Sequence, residues 1–124
     1  MSVDQDKILH TIAQTIFDKK GMNILALDVR GVSSLTDYVI IAEGNVDRHV
    51  IGIAHGVMDA LRKEGERPFQ VEGLETGDWV VLDYLEYMIH LFMPGVREKY
   101  RLEELFREGK IIDLKINIDS PTTI

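Results

Sequence analysis

Between Gly77 and Phe106 the chain reads GDWVVLDYLEYMIHLFMPGVREKYRLEELF, and this stretch limits the fold more than any other. The runs Trp79–Tyr84 and Tyr87–Met93 are rich in β-branched and aromatic residues, the composition of strands. Only Leu85 and Glu86 separate them, so a two-residue turn pairs Tyr84 with Tyr87 and Leu82 with Ile89. Side chains alternate along a strand, and this register therefore defines two faces. Val80, Leu82, Tyr84, Tyr87, Ile89 and Leu91 share one face and belong against a core. Trp79, Val81, Asp83, Met88, His90 and Phe92 share the other. Large aromatics beside an acid and an imidazole suit neither a solvated face nor a core, and a partner-binding surface explains the mixture. Neither turn residue favours the positive φ of a tight hairpin turn, so a longer loop with a shifted register is the competing expectation.

Elsewhere the periodicity predicts α-β-β-α before the hairpin and one more helix after it. Ile8, Leu9, Ile12, Ala13, Ile16 and Phe17 recur at helical spacing from about Asp4 to Lys20, and Gly21 stops that helix. Strands are expected over 23–30 and 37–42. Asn45 or Asp47 is expected to cap a second helix, which carries Val50, Ile51, Ala54, Val57, Met58 and Leu61 on its apolar stripe and ends at Gly65. A short strand covers 68–71. The hairpin supplies two more, and a single last helix runs from about Val96 to Glu108. The fold class is therefore α/β (α+β): one mixed sheet of about five strands with helices packed on it, in the order α-β-β-α-β-β-β-α. Residues 1–109 form the domain and 110–124 a tail. In that tail Ile112, Leu114, Ile116 and Ile118 alternate with polar residues, which fits an edge strand, a dimer contact or a loose end.

A chain of 124 residues is one domain by size. It has no cysteine, which removes disulfides and thiolate metal sites. No apolar run approaches the roughly 20 residues that span a bilayer, and MSVDQDK is too acidic and polar for a signal peptide. A cytoplasmic protein with no membrane contact is expected. The net charge is −7. Lys19-Lys20 and Arg62-Lys63 are isolated pairs, so no direct nucleic-acid recognition is expected. A basic protein partner suits the charge.

Catalytic readings fare poorly. His49 and His55 lie six apart and share no helix face, and no HExxH pair exists, so no metal site is expected. Asp28, Asp37 and Asp47 invite metal-dependent phosphoryl transfer, which needs clustered carboxylates, yet no closely spaced pair of acids follows Gly44-Asn45. Ser33, Asp37 and His49 lack a nucleophile elbow. No catalytic residue and no cofactor are expected. Gly52 and Gly56 inside the second helix cost about 1 kcal/mol each against Ala and imply close packing of that helix. Trp79 and Phe92 can equally be core residues, His90 a hydrogen-bonded structural histidine, and Asp83 a partner for turn backbone.

The run LDVRGVSSLTDYVIIAEGNVDRHV around Asp28–His49, followed by WVVLDY, IHLF and REKYRLEELF, resembles the Iojap family of ribosomal silencing factors (RsfS) in order and spacing, over roughly Ile8 to Phe106. The resemblance implies a mixed α/β domain distantly related to nucleotidyltransferases but without established catalysis. It implies binding to protein fourteen of the large ribosomal subunit, a block on joining of the small subunit, a bearing on large-subunit maturation, and a possible homodimer. A diverged metal-dependent nucleotidyltransferase is the alternative. Carried over residue by residue, the partner-binding positions are Trp79, Asp83, Tyr84, His90, Phe92, Arg97, Tyr100, Leu102, Glu103 and Leu105. Leu85-Glu86 stands where the family usually has Gly-Asp, Gly95 where Glu is common, Phe106 where Trp is usual, and Val46 where Ser is frequent.

Overall fold

The computed structural model describes residues 3–117 and forms one open sheet of six strands. Helix α1 spans Val3–Asp18 and leads into strand β1, Met22–Asp28. Strand β2 (Tyr38–Glu43) is followed by helix α2 (Asp47–Lys63). Strands β3 (Gln70–Glu72), β4 (Trp79–Asp83) and β5 (Tyr87–Phe92) come next. Helices α3 (Pro94–Tyr100) and α4 (Leu102–Leu105) and strand β6 (Lys110–Ile111) complete the order. Across the sheet the strands run β3-β4-β5-β2-β1-β6. Only β2 and β5, at the centre, pair in parallel, Tyr38 opposite Tyr87 through Glu43 opposite Phe92. All of β2 but its last residue is buried, as a central strand covered on both faces should be.

One face carries the main core. Ile8, Leu9, Ile12, Ala13 and Ile16 of α1 and Val50, Ile53, Ala54, Val57 and Leu61 of α2 are buried against it. Their sheet partners include Ile40, Ala42, Val80, Leu82, Ile89 and Leu91. The opposite face carries a second, smaller core, in which Leu27, Val29, Val39, Ile41 and Phe92 pack with Leu102 of α4, and Val96, Phe106 and Trp79 lie at its margin. It covers β1, β2 and the Phe92 end of β5, and leaves β3, β4 beyond Trp79 and the Met88 end of β5 bare.

The hairpin keeps the two-residue turn. Leu82 faces Ile89, Asp83 faces Met88, and the Tyr84 N–H donates to the Tyr87 carbonyl at 2.8 Å. Leu85 absorbs the geometry at φ +70. The Glu86 N–H donates to the Tyr84 carbonyl at 2.8 Å, the bond of a γ-turn centred on Leu85. The Leu85 N–H donates to the Asp83 carboxylate at 2.8 Å, and the Glu86 carbonyl accepts from Asp37 and Tyr38. A left-handed conformation costs a β-carbon residue about 1–2 kcal/mol, and Leu85 is mostly exposed. Leu85→Gly should therefore stabilise the protein by about 0.5 kcal/mol after its larger unfolded-state entropy is counted. A fall in the denaturant midpoint would contradict this.

Several expectations are corrected. The sheet has a sixth strand: Lys110 and Ile111 pair with Asp28 and Leu27 at the β1 edge. Beyond it the tail lies along α1. The Leu114 carbonyl sits 3.0 Å from His10 Nδ1, and the Asn117 N–H donates to Gln14 at 2.7 Å. Ile118 lies outside the described residues. The single last helix is two, broken at Arg101, whose φ of +47 ends α3 and opens α4. Neither Asn45 nor Asp47 caps α2. Val46 holds that position without a side-chain bond, and the His49 ring reaches back to accept the Asn45 N–H at 2.9 Å. Around Gly56 the close packing is real, since the Lys19 stem occupies the place of a β-carbon, but Gly52 opens onto free space.

Candidate functional site

Trp79 enters the second face through two glycines. A β-carbon on Gly73 (φ +89) would collide with the Trp79 carbonyl oxygen, and one on Gly77 (φ +75) would meet the Asp47 carbonyl at 2.7 Å. Only glycine allows so close a turn at the start of β4. The Trp79 ring then heads an aromatic cluster, with centroids 4.9 Å from Phe92, 4.8 Å from Tyr100 and 6.0 Å from His90. Its indole N–H donates to His90 Nδ1 at 3.1 Å. That bond leaves the proton of the neutral imidazole on Nε2.

Burial pushes His90 down to about 4. The sign of the consequence follows from linkage. The unfolded chain takes up a proton near pH 6.5, whereas the folded chain does so only near pH 4. Stability should be full above pH 6.5, fall between pH 6.5 and 4, and fall no further on this account below that. The total is about 3 kcal/mol at most. Denaturant melts at pH 7, 5.5 and 4 should show His90→Gln, which keeps an acceptor for Trp79, with a shallower pH dependence than the unsubstituted protein. Equal slopes would contradict a neutral buried His90.

The ten positions singled out in the sequence divide by burial. Tyr100 and Leu105 are exposed, at 52% and 71%. Trp79, Asp83 and Glu103 are half-buried. Phe92 is fully enclosed, Leu102 and His90 are buried, and Arg97 is buried in an ionic knot. Phe92 is thus corrected from an exposed anchor to a floor beneath Trp79, because α3 and α4 fold back over that half of the face. Tyr84 stands on the opposite face, where burial raises its phenol to about 12 and its hydroxyl has no partner among the described residues. Asp83 serves the turn through Leu85.

Arg97 binds three elements together. Its Nη1 donates to the Asn23 carbonyl at 2.6 Å and to Glu43 at 3.1 Å, and its Nε donates to Glu103 at 3.0 Å. The register of β1 slips between Met22 and Leu25, where Asn23 takes φ +53, and the irregularity presents the Asn23 carbonyl to the guanidinium.

Beyond His90 the bare half of the face holds a shallow cavity of about 230 Å³ lined by Gln70, Glu72, Val81, Asp83, Met88 and His90. Alternation had already put Val81 and Met88 on this face. Gln70 and Glu72 reach it only through the pairing of β3 with β4, which no local pattern announces. The result is a two-part surface: a bare acidic and apolar strip, and an aromatic ridge of Trp79 and Tyr100 above it.

The acids considered for phosphoryl transfer are dispersed. Asp28 and Asp37 flank the β1–β2 loop at one end of the sheet, and Asp47 opens α2 at the other. Asp28 is held by Arg30 at 2.7 Å, and this guanidinium keeps its carboxyl below the usual range. Among the described residues no group of three or more His, Asp or Glu could hold a metal ion.

Comparison with known proteins gives a consistent picture. The profile of the family described as "Ribosomal silencing factor during starvation" matches residues 2–123. The ribosomal silencing factor RsfS of Bacillus subtilis is 32% identical over 117 residues, covering 94% of this chain and 99% of its own. The mouse protein named "Mitochondrial assembly of ribosomal large subunit protein 1" is 30% identical over 91 residues, which cover 71% of this chain and 40% of the mouse chain. A crystal structure from Chromobacterium violaceum superposes with a TM-score of 0.78 at 29% identity, covering 98% of this chain and 99% of that one.

Proposed function

Because the chain belongs to the family of ribosomal silencing factors, we propose that it docks on the large ribosomal subunit through protein fourteen and blocks joining of the small subunit by occupying the joining face. The observation that carries this reading is the surface above: an aromatic ridge next to a bare half-sheet. Exposed aromatic residues over a well-packed floor are typical anchors of protein interfaces. The strip beside them carries Glu72 and Asp83, which suit a basic partner surface and would set orientation and association rate more than affinity.

Occlusion needs no chemistry. A domain of this size standing on the joining face excludes the small subunit by volume alone, and the protein acts without catalysis. Trp79, Tyr100 and Leu105 make the direct contacts. Phe92, His90 and Leu102 hold Trp79 and α4 in place from below, and Arg97 with Glu103 fixes the angle between α3 and α4. The mouse relative is named for assembly of a ribosomal large subunit, which supports the choice of subunit. Among the described residues no helix is long and apolar enough to cross a membrane.

The test is co-sedimentation with separated subunits. The protein should pellet with large subunits and not with small ones, and should reduce the yield of joined ribosomes when both are mixed. Joined ribosomes forming normally over saturated large subunits would refute occlusion.

A further inference from the structure

The fold assembles a basic groove that the linear sequence hides, on the side of the sheet opposite the aromatic ridge. Lys19-Lys20 form the turn that follows helix α1, and His49 in the first turn of α2 pins that turn. With the Asn45 N–H donated to its Nδ1 at 2.9 Å, the ring carries its proton on Nε2, which donates to the Lys19 carbonyl at 2.8 Å. This clasp brings Lys19 and Lys20 beside Arg48 around a groove of about 430 Å³. Gly52, with open space above it, keeps the α2 wall low, and the stem of Lys19 fills the notch left by Gly56.

The charges in this groove are available. Lys19, Lys20 and Arg48 are all exposed. Among the described residues none of the three forms an ion pair. The one acid lining the groove, Asp18, already accepts a hydrogen bond from Gln14 at 2.9 Å. What sets the three apart is their gathering around one concave site on a chain of net charge −7. The groove also opens at the end of the sheet where the ridge begins, since the backbone of Asp47 abuts Gly77, two residues before Trp79.

We infer that this groove receives phosphate groups of the RNA backbone when the protein is docked, as a second contact beside the protein–protein one. The inference rests on the large-subunit reading above and departs from the expectation of no direct nucleic-acid recognition. Contacts to phosphates position a protein without reading sequence. The net negative charge elsewhere repels free RNA, so the groove acts only once the ridge has brought it to the particle.

The experiment compares the unsubstituted protein with the triple variant Lys19→Gln, Lys20→Gln, Arg48→Gln, which leaves the His49 clasp intact. Binding to purified large subunits and to isolated protein fourteen is measured from 50 to 300 mM salt. The variant should bind large subunits at least ten-fold more weakly at the lowest salt, with the slope of log affinity against log salt reduced by about two, since each released phosphate contact contributes about 0.7–0.9. Its affinity for isolated protein fourteen and its melting temperature should not change. Equal affinity and slope on large subunits would overturn the RNA contact alone. Equal losses on both targets would reassign the groove to the ribosomal protein and also overturn it. Micromolar binding of ATP to the free protein, abolished in the variant, would give the groove to a free phosphate ligand instead. Failure of the unsubstituted protein to bind large subunits at all would remove both the docking reading and this inference.

Discussion

Arg97→Ala is expected to lower the stability of the fold by about 3 kcal/mol, the scale of loss when one partner of a buried ion pair is removed. The arginine and Glu43 are about nine-tenths buried, at 11% and 12% side-chain exposure. Its removal strands the Asn23 carbonyl, leaves the Glu43 carboxylate with only the Asn23 side-chain amide as donor, and leaves Glu103, one of whose oxygens already has no partner among the described residues, without its cation. A fall of roughly 10 °C in melting temperature should follow for a domain of this size. Arg97→Lys should recover part of the loss, because a single ammonium cannot bridge three acceptors as a planar fork does. A melting temperature within two degrees of the original would show that Arg97 is not a structural tie and would return it to the set of direct contacts.

Trp79→Ala should weaken binding to the large subunit by about thirty-fold or more, equivalent to about 2 kcal/mol, as for an interface anchor. The same change removes stacking on Phe92 and Tyr100 and the donor to His90, so the fold should also lose about 2 kcal/mol while remaining folded. The two effects are separable. Tyr100→Ala and Leu105→Ala alter exposed side chains, so they should reduce binding with little change in melting. Phe92→Leu perturbs only the floor, so it should destabilise the protein more than it weakens binding. If Trp79→Ala bound large subunits normally, the ridge would not be the docking surface.

Much of this architecture can be read from the residues, and the parts that cannot share a cause. The hairpin register follows from alternation: Val80, Leu82 and Tyr84 face Tyr87, Ile89 and Leu91, and a slip of one residue would turn them all to the other side. That constraint outweighs the unsuitable chemistry of Leu85, which takes a positive φ instead of lengthening the loop. Period-two patterning tells which side chains share a face and nothing about what lies on it. Phe92 therefore looked available until α4 placed Leu102 over it. The break at Arg101 carries no glycine or proline to mark it. The two-residue strand β6 is too short to leave a periodic signal. Lys19 and Arg48 are distant in sequence and become neighbours only through the His49 clasp.

The lone parallel pair at the centre of the sheet sets a temporal order for synthesis. β1 can zip to β2 as soon as both emerge, and β3, β4 and β5 can form their meander locally. Tyr38 meets Tyr87 only after α2 and three further strands have been made. Until then the inner edge of β2, the most apolar strand of the sheet, is an open ladder, the kind of edge that recruits strands from other chains. A ribosome translating this message must therefore finish almost the whole domain before the nascent chain closes, and pauses within the α2 codons should raise its aggregation more than pauses after Phe92.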